Sequence, residues 1–179
     1  EVIVAEEPKV EVDETKLKVV IETEKGDIHV LLNPEEAPIT VANFQKLVGE
    51  GFYDGLTFHR IIDGFMMQGG DGGDARPAEN IEGEFESNGH KNPISHQRGV
   101  ISMARSGDPN SATSQFFITL HNDAARSLDG EYAAFGHVVE GMEVVDAIAN
   151  DLFGHSINDM GFVSDDHAIT IVSAKVVKR

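Results

Sequence analysis

The sequence of 179 residues contains no cysteine. Disulfide bonds, thiol nucleophiles and cysteine-ligated zinc are therefore excluded. Basic residues are also scarce, because 14 lysines and arginines stand against 31 aspartates and glutamates, and the net charge is −17. A nucleic-acid-binding surface needs clustered lysine and arginine, so this composition argues against nucleic acid as a partner. No apolar run approaches the roughly 20 residues that a membrane-spanning helix requires.

Signatures of several other protein classes are missing as well. No Gly-x-Ser-x-Gly elbow indicates a hydrolase nucleophile, and none of the eight histidines lies in a His-Glu-x-x-His zinc motif. The glycine-rich run at residues 69–74 lacks the lysine of a phosphate loop and the acid spacing of an EF-hand. We therefore expect no cofactor and no metal ion. A metal-dependent role for the long polar segment at residues 69–98 is the alternative.

The first 16 residues differ from the rest of the chain. They contain six acids and two bases, few large apolar residues and one proline. We interpret residues 1–16 as an acidic N-terminal arm or tether, and residues 17–179 as one domain. Alternating valines in the arm also allow an edge strand. Such an arm suits the stalk of an exported or lipid-anchored protein, or part of a longer cytoplasmic chain.

Apolar periodicity predicts the secondary structure of the domain. Residues 17–23 and 27–32 alternate and predict a β-hairpin. Apolar residues at helical spacing predict one helix that starts at Pro38 and a second at residues 142–149. Further strands are predicted at residues 99–104, 115–121, 134–139 and 168–177. We expect a short loop or turn at residues 122–127 and a loop at residues 150–166. Many short strands with two distant helices predict a mainly β fold, a closed antiparallel sheet capped by helices.

Residues 57–71 form the stretch around which we expect function to be organised. Asp63-Gly64 is a strong turn signal, so two strands should meet there. Alternation then predicts which side chains share a face: Phe58 with Arg60 and Ile62, His59 with Ile61, Phe65 with Met67, and Met66 with Gln68. A cation beside an apolar, methionine-bearing surface with one amide suits a groove for an extended, partly apolar ligand such as a peptide.

A series of short motifs runs in order through residues 58–142, within a match that extends from about residue 17 to the end of the chain. They are Phe58-His-Arg60, Gly64-Phe-Met66, Gln68-Gly-Gly-Asp71, Ser102-Met-Ala104, Ser114-Gln-Phe-Phe117, Leu128-Asp-Gly130, Phe135-Gly136 and Glu140-Gly-Met142. Together they resemble the cyclophilin family of peptidyl-prolyl cis-trans isomerases. The segments at residues 81–88 and 132–136 look bacterial, more like Gram-positive members than animal ones.

The resemblance implies a fold, an activity and partners. The fold is a closed eight-stranded antiparallel β-barrel with a helix at each end, and its peptide groove lies on the outside. The activity is acceleration of rotation about X–Pro bonds, which assists protein folding. The implied partners are proline-containing polypeptides, with no nucleic acid, and we expect a monomer. A proline-peptide binding module with little turnover is the alternative, and the intact Arg60 favours the enzyme.

The resemblance also implies roles for individual residues. Arg60 is the family's catalytic arginine and would stabilise the twisted amide, with Phe65 and Gln68 completing the catalytic set. The substrate-binding residues would be Met66, Ala104, Arg105, Gln115, Phe117, Leu128 and Tyr132. Within these sets, an apolar pocket holds the proline ring, glutamine amides fix the peptide backbone, and Ala104 with Arg105 forms the rim.

Three positions depart from the familiar eukaryotic pattern. Ser127 stands where those members carry tryptophan, Tyr132 stands where histidine is frequent, and Arg105 replaces a frequent asparagine. We expect catalysis to be kept, because the whole catalytic set and Phe117 remain. We expect weaker binding of cyclosporin-type inhibitors, because Ser127 removes an indole donor and its surface.

Overall fold

The alternating segments of the sequence form eight strands in the computed structural model, which describes residues 12–177. The strands are β1 (Lys18–Thr23), β2 (Gly26–Leu32), β3 (Thr57–Ile62), β4 (Met66–Gly69), β5 (Val100–Met103), β6 (Phe116–Thr119), β7 (Ala134–Glu140) and β8 (Ile169–Val177). They pair antiparallel in the order β1-β2-β7-β5-β6-β4-β3-β8, and β8 pairs with β1 to close the ring. The predicted closed eight-stranded antiparallel barrel is confirmed. Most of the predicted arm, residues 1–11, lies outside the described residues.

The described residues contain three α-helices rather than the two predicted: α1 (Pro38–Gly49), α2 (Ala125–Leu128) and α3 (Met142–Gly154). The short loop or turn predicted at residues 122–127 is a 3-10 turn at Asn122–Ala124 in its first half, but the prediction is wrong from Ala125, where α2 begins. The predicted loop at residues 150–166 is wrong in its first five positions, which continue α3. The polar pair Asn150-Asp151 hid this continuation, but Leu152 is fully buried one turn after Ile148.

The barrel interior is filled with side chains. Phe44 of α1 packs against Tyr53, Phe116 and Phe135 with ring centroids 5.1–6.0 Å apart. The buried Tyr53 hydroxyl donates to the Ser114 carbonyl at 2.8 Å, and burial raises the pKa of this phenol. Because the interior is packed, a ligand can bind only on the outside of the barrel.

The start of the described chain is attached to α1. The Gln45 amide donates to the carbonyls of Asp13 and Lys16, and its oxygen accepts from the Asp13 amide at 3.2 Å. Val12 packs against the core. Residues 12–16 therefore lie against the barrel domain. No helix in residues 12–177 is long and apolar enough to cross a bilayer.

The central hairpin contains a β-bulge that changes its faces. Phe58 pairs with Gly69 and Arg60 with Gln68, so the register shifts by one residue at His59. Phe58 and Ile61 both enter the core, whereas Arg60 faces outward. The predicted sharing of a face by Phe58 and Arg60 is therefore wrong, because the extra residue resets the alternation.

A second face assignment in the hairpin also fails. Met67 is fully buried in the barrel core, as alternation from Gln68 requires. Phe65, predicted on the same face as Met67, lies instead in the turn before β4 and packs with Met66 on the outside. A residue inside a turn does not follow strand periodicity, and this explains the error.

The long segment at residues 69–98 is tied to the rest of the domain through Glu84. This side chain is 2% exposed and accepts hydrogen bonds from the Thr40 amide at 2.6 Å and the Thr40 hydroxyl at 2.7 Å. Thr40 lies in the first turn of α1, whose N-cap residue offers no side-chain bond. Glu84 therefore supplies the cap that the local sequence lacks.

Candidate active site

One row of side chains crosses the outside of the barrel. Arg60 on β3 pairs with Gln68 on β4, Gln68 with Phe117 on β6, and Phe117 with Ser102 on β5. Residues in register on adjacent antiparallel strands have close side chains. The bulge at His59 is what brings Arg60 into this row.

Two hydrogen bonds hold the Arg60 side chain. Its Nε donates to the Met160 carbonyl at 2.8 Å, and its Nη1 donates to Gln68 Oε1 at 3.1 Å. The Phe162 ring lies against it, with the guanidinium carbon 5.3 Å from the ring centroid. Within residues 12–177, Nη2 has no hydrogen-bond partner. The guanidinium is thus fixed in orientation, and one of its nitrogens is left to face a ligand.

A second amide continues the row. Gln68 Nε2 donates to Gln115 Oε1 at 2.7 Å, which leaves the Gln115 NH2 group for other partners. Gln68 and Gln115 both line a depression of about 310 Å³ next to the main pocket. The chain from Arg60 through Gln68 to Gln115 therefore presents oriented polar groups along a continuous surface.

The main pocket has an apolar floor that is separate from the barrel core. Met66, Phe117, Ala124 and Leu128 form this second cluster, and Phe65 and Tyr132 pack against it. The pocket encloses about 330 Å³. Its walls are formed by Arg60, Ile62, Phe65, Met66, Gln68, Ala104, Arg105, Phe117, Ser127, Leu128 and Tyr132. Such a cup fits a small apolar ring.

Arg105 forms one wall by stacking on two aromatic rings, and its Nη2 also lies 3.9 Å from Glu131 Oε2, within ion-pair distance. Its guanidinium carbon lies 4.7 Å from the Tyr132 ring centroid and 4.8 Å from that of Phe85. Its Nε and Nη2 both donate to the Glu131 carbonyl, at 3.1 and 2.7 Å. The Arg105 side chain is therefore held by contacts within the protein and shapes the rim of the pocket.

A buried histidine supports the pocket floor from behind. His96 is 1% exposed, and its ring stacks on that of Phe117 with the ring centroids 6.0 Å apart. Its Nδ1 lies 2.8 Å from Asp129 Oδ1, and its Nε2 lies 2.9 Å from the Ser102 hydroxyl. Burial lowers the pKa of His96 against the opposing effect of Asp129. A neutral ring donates from Nδ1 to the carboxylate and accepts at Nε2 from Ser102.

The structure brings the sequence-predicted site residues together. Nine of the ten line the main pocket, and the tenth, Gln115, lines the adjoining depression. Sequence reasoning missed the contributions of His96, Met160 and Gly161. Gly161 has φ +82°, and a Cβ there would fall on the Ile61 carbonyl oxygen, so only glycine fits beside β3. In the described part of the chain, no group of three or more acidic or histidine side chains could hold a metal ion.

Comparison with known proteins finds a matching family and similar relatives. The family described as cyclophilin type peptidyl-prolyl cis-trans isomerase/CLD matches residues 18–176. Peptidyl-prolyl cis-trans isomerase A of Dickeya dadantii is 39% identical over 168 residues, covering 92% of this chain and 87% of that protein. Peptidyl-prolyl cis-trans isomerase B of Bacillus subtilis is 45% identical over 122 residues, covering 66% and 80%.

A solved structure agrees with these relatives. The crystal structure of a cyclophilin type peptidyl-prolyl cis-trans isomerase from Cryptosporidium parvum, in the presence of the dipeptide Ala-Pro, superposes with a TM-score of 0.75. It is 29% identical in sequence, and the match covers 90% of this chain and 99% of that one.

Proposed function

The chain belongs to the cyclophilin-type peptidyl-prolyl cis-trans isomerases, and we propose that Arg60 and the apolar pocket beside it carry out the isomerisation. The barrier to rotation about a peptide bond is about 18–20 kcal/mol, because the nitrogen lone pair is delocalised into the carbonyl. Uncatalysed rotation of an X–Pro bond therefore takes tens to hundreds of seconds. No bond is broken, so no nucleophile is needed.

The proposed role of Arg60 follows from what twisting does to the amide. As the bond twists, the lone pair localises on the prolyl nitrogen, and a donor nearby stabilises the twisted form more than the planar form. The observation that carries the proposal is the fixed guanidinium, which Met160 and Gln68 orient while Nη2 stays open beside the pocket. A donor fixed before the reaction needs no reorganisation during it.

The pocket supplies the second part of the mechanism. Phe65, Met66, Phe117 and Leu128 would hold the proline ring, so that rotation moves the preceding carbonyl and not the ring. Gln68 and Gln115 would bind the backbone of the substrate through their amides. The rim of Ala104 and Arg105, with Tyr132 stacked on the arginine, would border the extended peptide.

The test compares turnover with binding. Wild type, Arg60→Lys and Arg60→Ala are assayed by protease-coupled isomerisation of a short X–Pro peptide, and affinity for the same peptide is measured by calorimetry. We expect Arg60→Ala to lower kcat/KM on the order of a hundredfold, the usual effect of removing one oriented donor, with affinity changed less than threefold. Arg60→Lys should recover little, because an ammonium cannot bond to Met160, Gln68 and the substrate in fixed directions.

Arg126→Ala is the matched control, because its side chain is 86% exposed and the same charge is lost. Equal rates for wild type and Arg60→Ala would show that Arg60 is not the donor. If neither accelerates isomerisation while both bind the peptide, the chain acts as a proline-peptide binding module.

We further propose that the activity assists protein folding. Refolding of a test protein limited by a slow prolyl step should accelerate in the presence of wild type and not of Arg60→Ala. An unchanged slow phase with active wild type would restrict the protein to short or already flexible substrates.

A further inference from the structure

The most exposed large apolar side chains of residues 12–177 lie close together in sequence, beside the proposed site. They are Phe153, Ile157 and Met160, which are 57%, 66% and 59% exposed. Single exposed apolar residues are ordinary, but several on one short segment are typical of an interaction surface. We call the segment of residues 153–161, which comprises the last two residues of α3 and the residues that follow, the apical loop.

The apical loop is held in place by its own polar groups. Asn158 Oδ1 accepts from the amides of Met160 and Phe162 at 3.1 and 3.2 Å. The Ile157 amide donates to the Phe162 carbonyl, and the Gly161 carbonyl accepts from Ile61 on β3. Because these backbone groups are satisfied within the protein, the exposed side chains remain available for a partner.

The apical loop and β3 enclose a groove of about 490 Å³. Its lining consists of Ile61, Ile62, Asp63, Phe153, Ser156, Ile157, Asn158, Asp159 and Gly161. Ile62 also lines the main pocket, so the groove and the main pocket meet at this side chain. A polypeptide whose proline occupies the pocket can therefore continue over Ile62 into the groove.

The groove combines apolar surface with negative charge. Asp63 and Asp159 are exposed, and neither forms an ion pair with another described residue. No lysine or arginine lines the groove. These carboxylates attract cationic groups most strongly at low salt.

We propose that the groove between β3 and the apical loop binds the stretch of substrate polypeptide adjacent to the prolyl bond, and that it selects a large apolar side chain flanked by lysine or arginine. The inference rests on the proposed function, since the main pocket would hold the proline and so position the substrate. The apolar side chain would cover Phe153 and Ile157, and the flanking cation would lie between Asp63 and Asp159. Substrates with acidic flanking residues would be disfavoured by the same carboxylates.

The experiment uses one X–Pro core peptide and versions extended by four residues on either side. The extensions carry leucine with lysine, leucine with serine, or leucine with glutamate. The ratio of kcat/KM for extended and core peptides is measured for each protein variant, so that the core peptide reports the isomerase site alone. We expect the leucine–lysine extension on one side to raise the ratio on the order of fivefold at low salt, since two exposed ion pairs and one covered side chain contribute modestly.

The double variant Asp63→Asn/Asp159→Asn should bring the lysine and serine extensions to equal ratios, and Ile157→Ser should lower both. Glu35→Gln, an exposed acid away from the groove, is the control and should keep the wild-type ratios. A ratio near one for every extension, or a lysine advantage that survives the double variant, would overturn the proposal. If the core peptide is not isomerised at all, the proposed function fails, and calorimetric affinities for the same peptides still decide whether the groove binds them.

Discussion

Removal of the Glu84 carboxylate should destabilise the protein far more than its position in a long polar loop suggests. The carboxylate is buried and accepts two hydrogen bonds from Thr40, one from the backbone and one from the hydroxyl. In Glu84→Ala both donors lose their partner in a site that water does not reach. Each buried unsatisfied group costs about 1–3 kcal/mol, so the expected loss is about 2–6 kcal/mol of unfolding free energy.

Glu84→Gln separates charge from hydrogen bonding. The amide oxygen can still accept from Thr40, but the charge that faces the N-terminus of α1 is gone. A hydrogen bond to a charged group is worth about 1 kcal/mol more than one to a neutral group, so we expect a loss of about 1–3 kcal/mol. Glu86→Ala is the control, since Glu86 is exposed two residues later.

Urea denaturation followed by circular dichroism measures the effect, with thermal unfolding as a second readout. For a chain of this size, 1 kcal/mol corresponds to about 2–4 °C in Tm. A loss below about 1 kcal/mol in Glu84→Ala, or a loss equal to that of Glu86→Ala, would refute the assignment of Glu84 as the cap of α1. A double-mutant cycle with Thr40→Val should show coupling, since the two residues are in direct contact.

Three further predictions concern the site. Gly161→Ala should lower kcat/KM at least about tenfold, because the left-handed φ and the Ile61 carbonyl leave no room for a Cβ. The Met160 carbonyl must then move away from Arg60. Gly154→Ala, where a Cβ meets no atom, is the control, and equal activities of the two variants would contradict the prediction. Burial lowers the pKa of His96 in the folded state, so the unfolded chain binds its proton first and stability should fall as pH decreases through about 6.5. Urea denaturation between pH 7.5 and 5 should show a larger loss for wild type than for His96→Gln, and parallel losses would assign the pH dependence to other groups. Ser127→Trp should strengthen inhibition by cyclosporin at least about tenfold in a competition assay, because it adds an indole donor and apolar surface to the pocket wall. Nanomolar inhibition of the wild type would contradict the weak cyclosporin binding that we expect.

A closed antiparallel sheet could be predicted because its strands alternate and its turns contain glycine and proline, whereas the eight-stranded barrel was implied by the family resemblance. The bulge at His59 could not, because one extra residue in a strand leaves no mark in an otherwise regular apolar pattern. Its consequence is large, since it turns Arg60 away from Phe58 and into register with Gln68. The end of α3 was missed for a similar reason, because two polar residues precede the buried Leu152.

The candidate site was partly accessible to sequence reasoning and partly not. Arg60, Phe65 and Phe117 lie in motifs that resemble a known family, so the side chains could be named. The groups that orient them are long-range or belong to the backbone. The Met160 carbonyl lies 100 positions from Arg60, and a carbonyl oxygen has no sequence signature. Glu84 caps a helix 44 positions away, so its role depends on the fold.

The closure of the ring by β8 affects how the protein is made. β8 pairs with both β1 and β3, although it is the last of the eight barrel strands to be synthesised. Until then the nascent chain carries two strands whose outer amides and carbonyls are unpaired, and such edges favour aggregation. Contacts this distant in sequence also slow folding. Closure of the barrel thus waits for β8, and release of the chain before β8 would leave an open sheet with two unpaired edges.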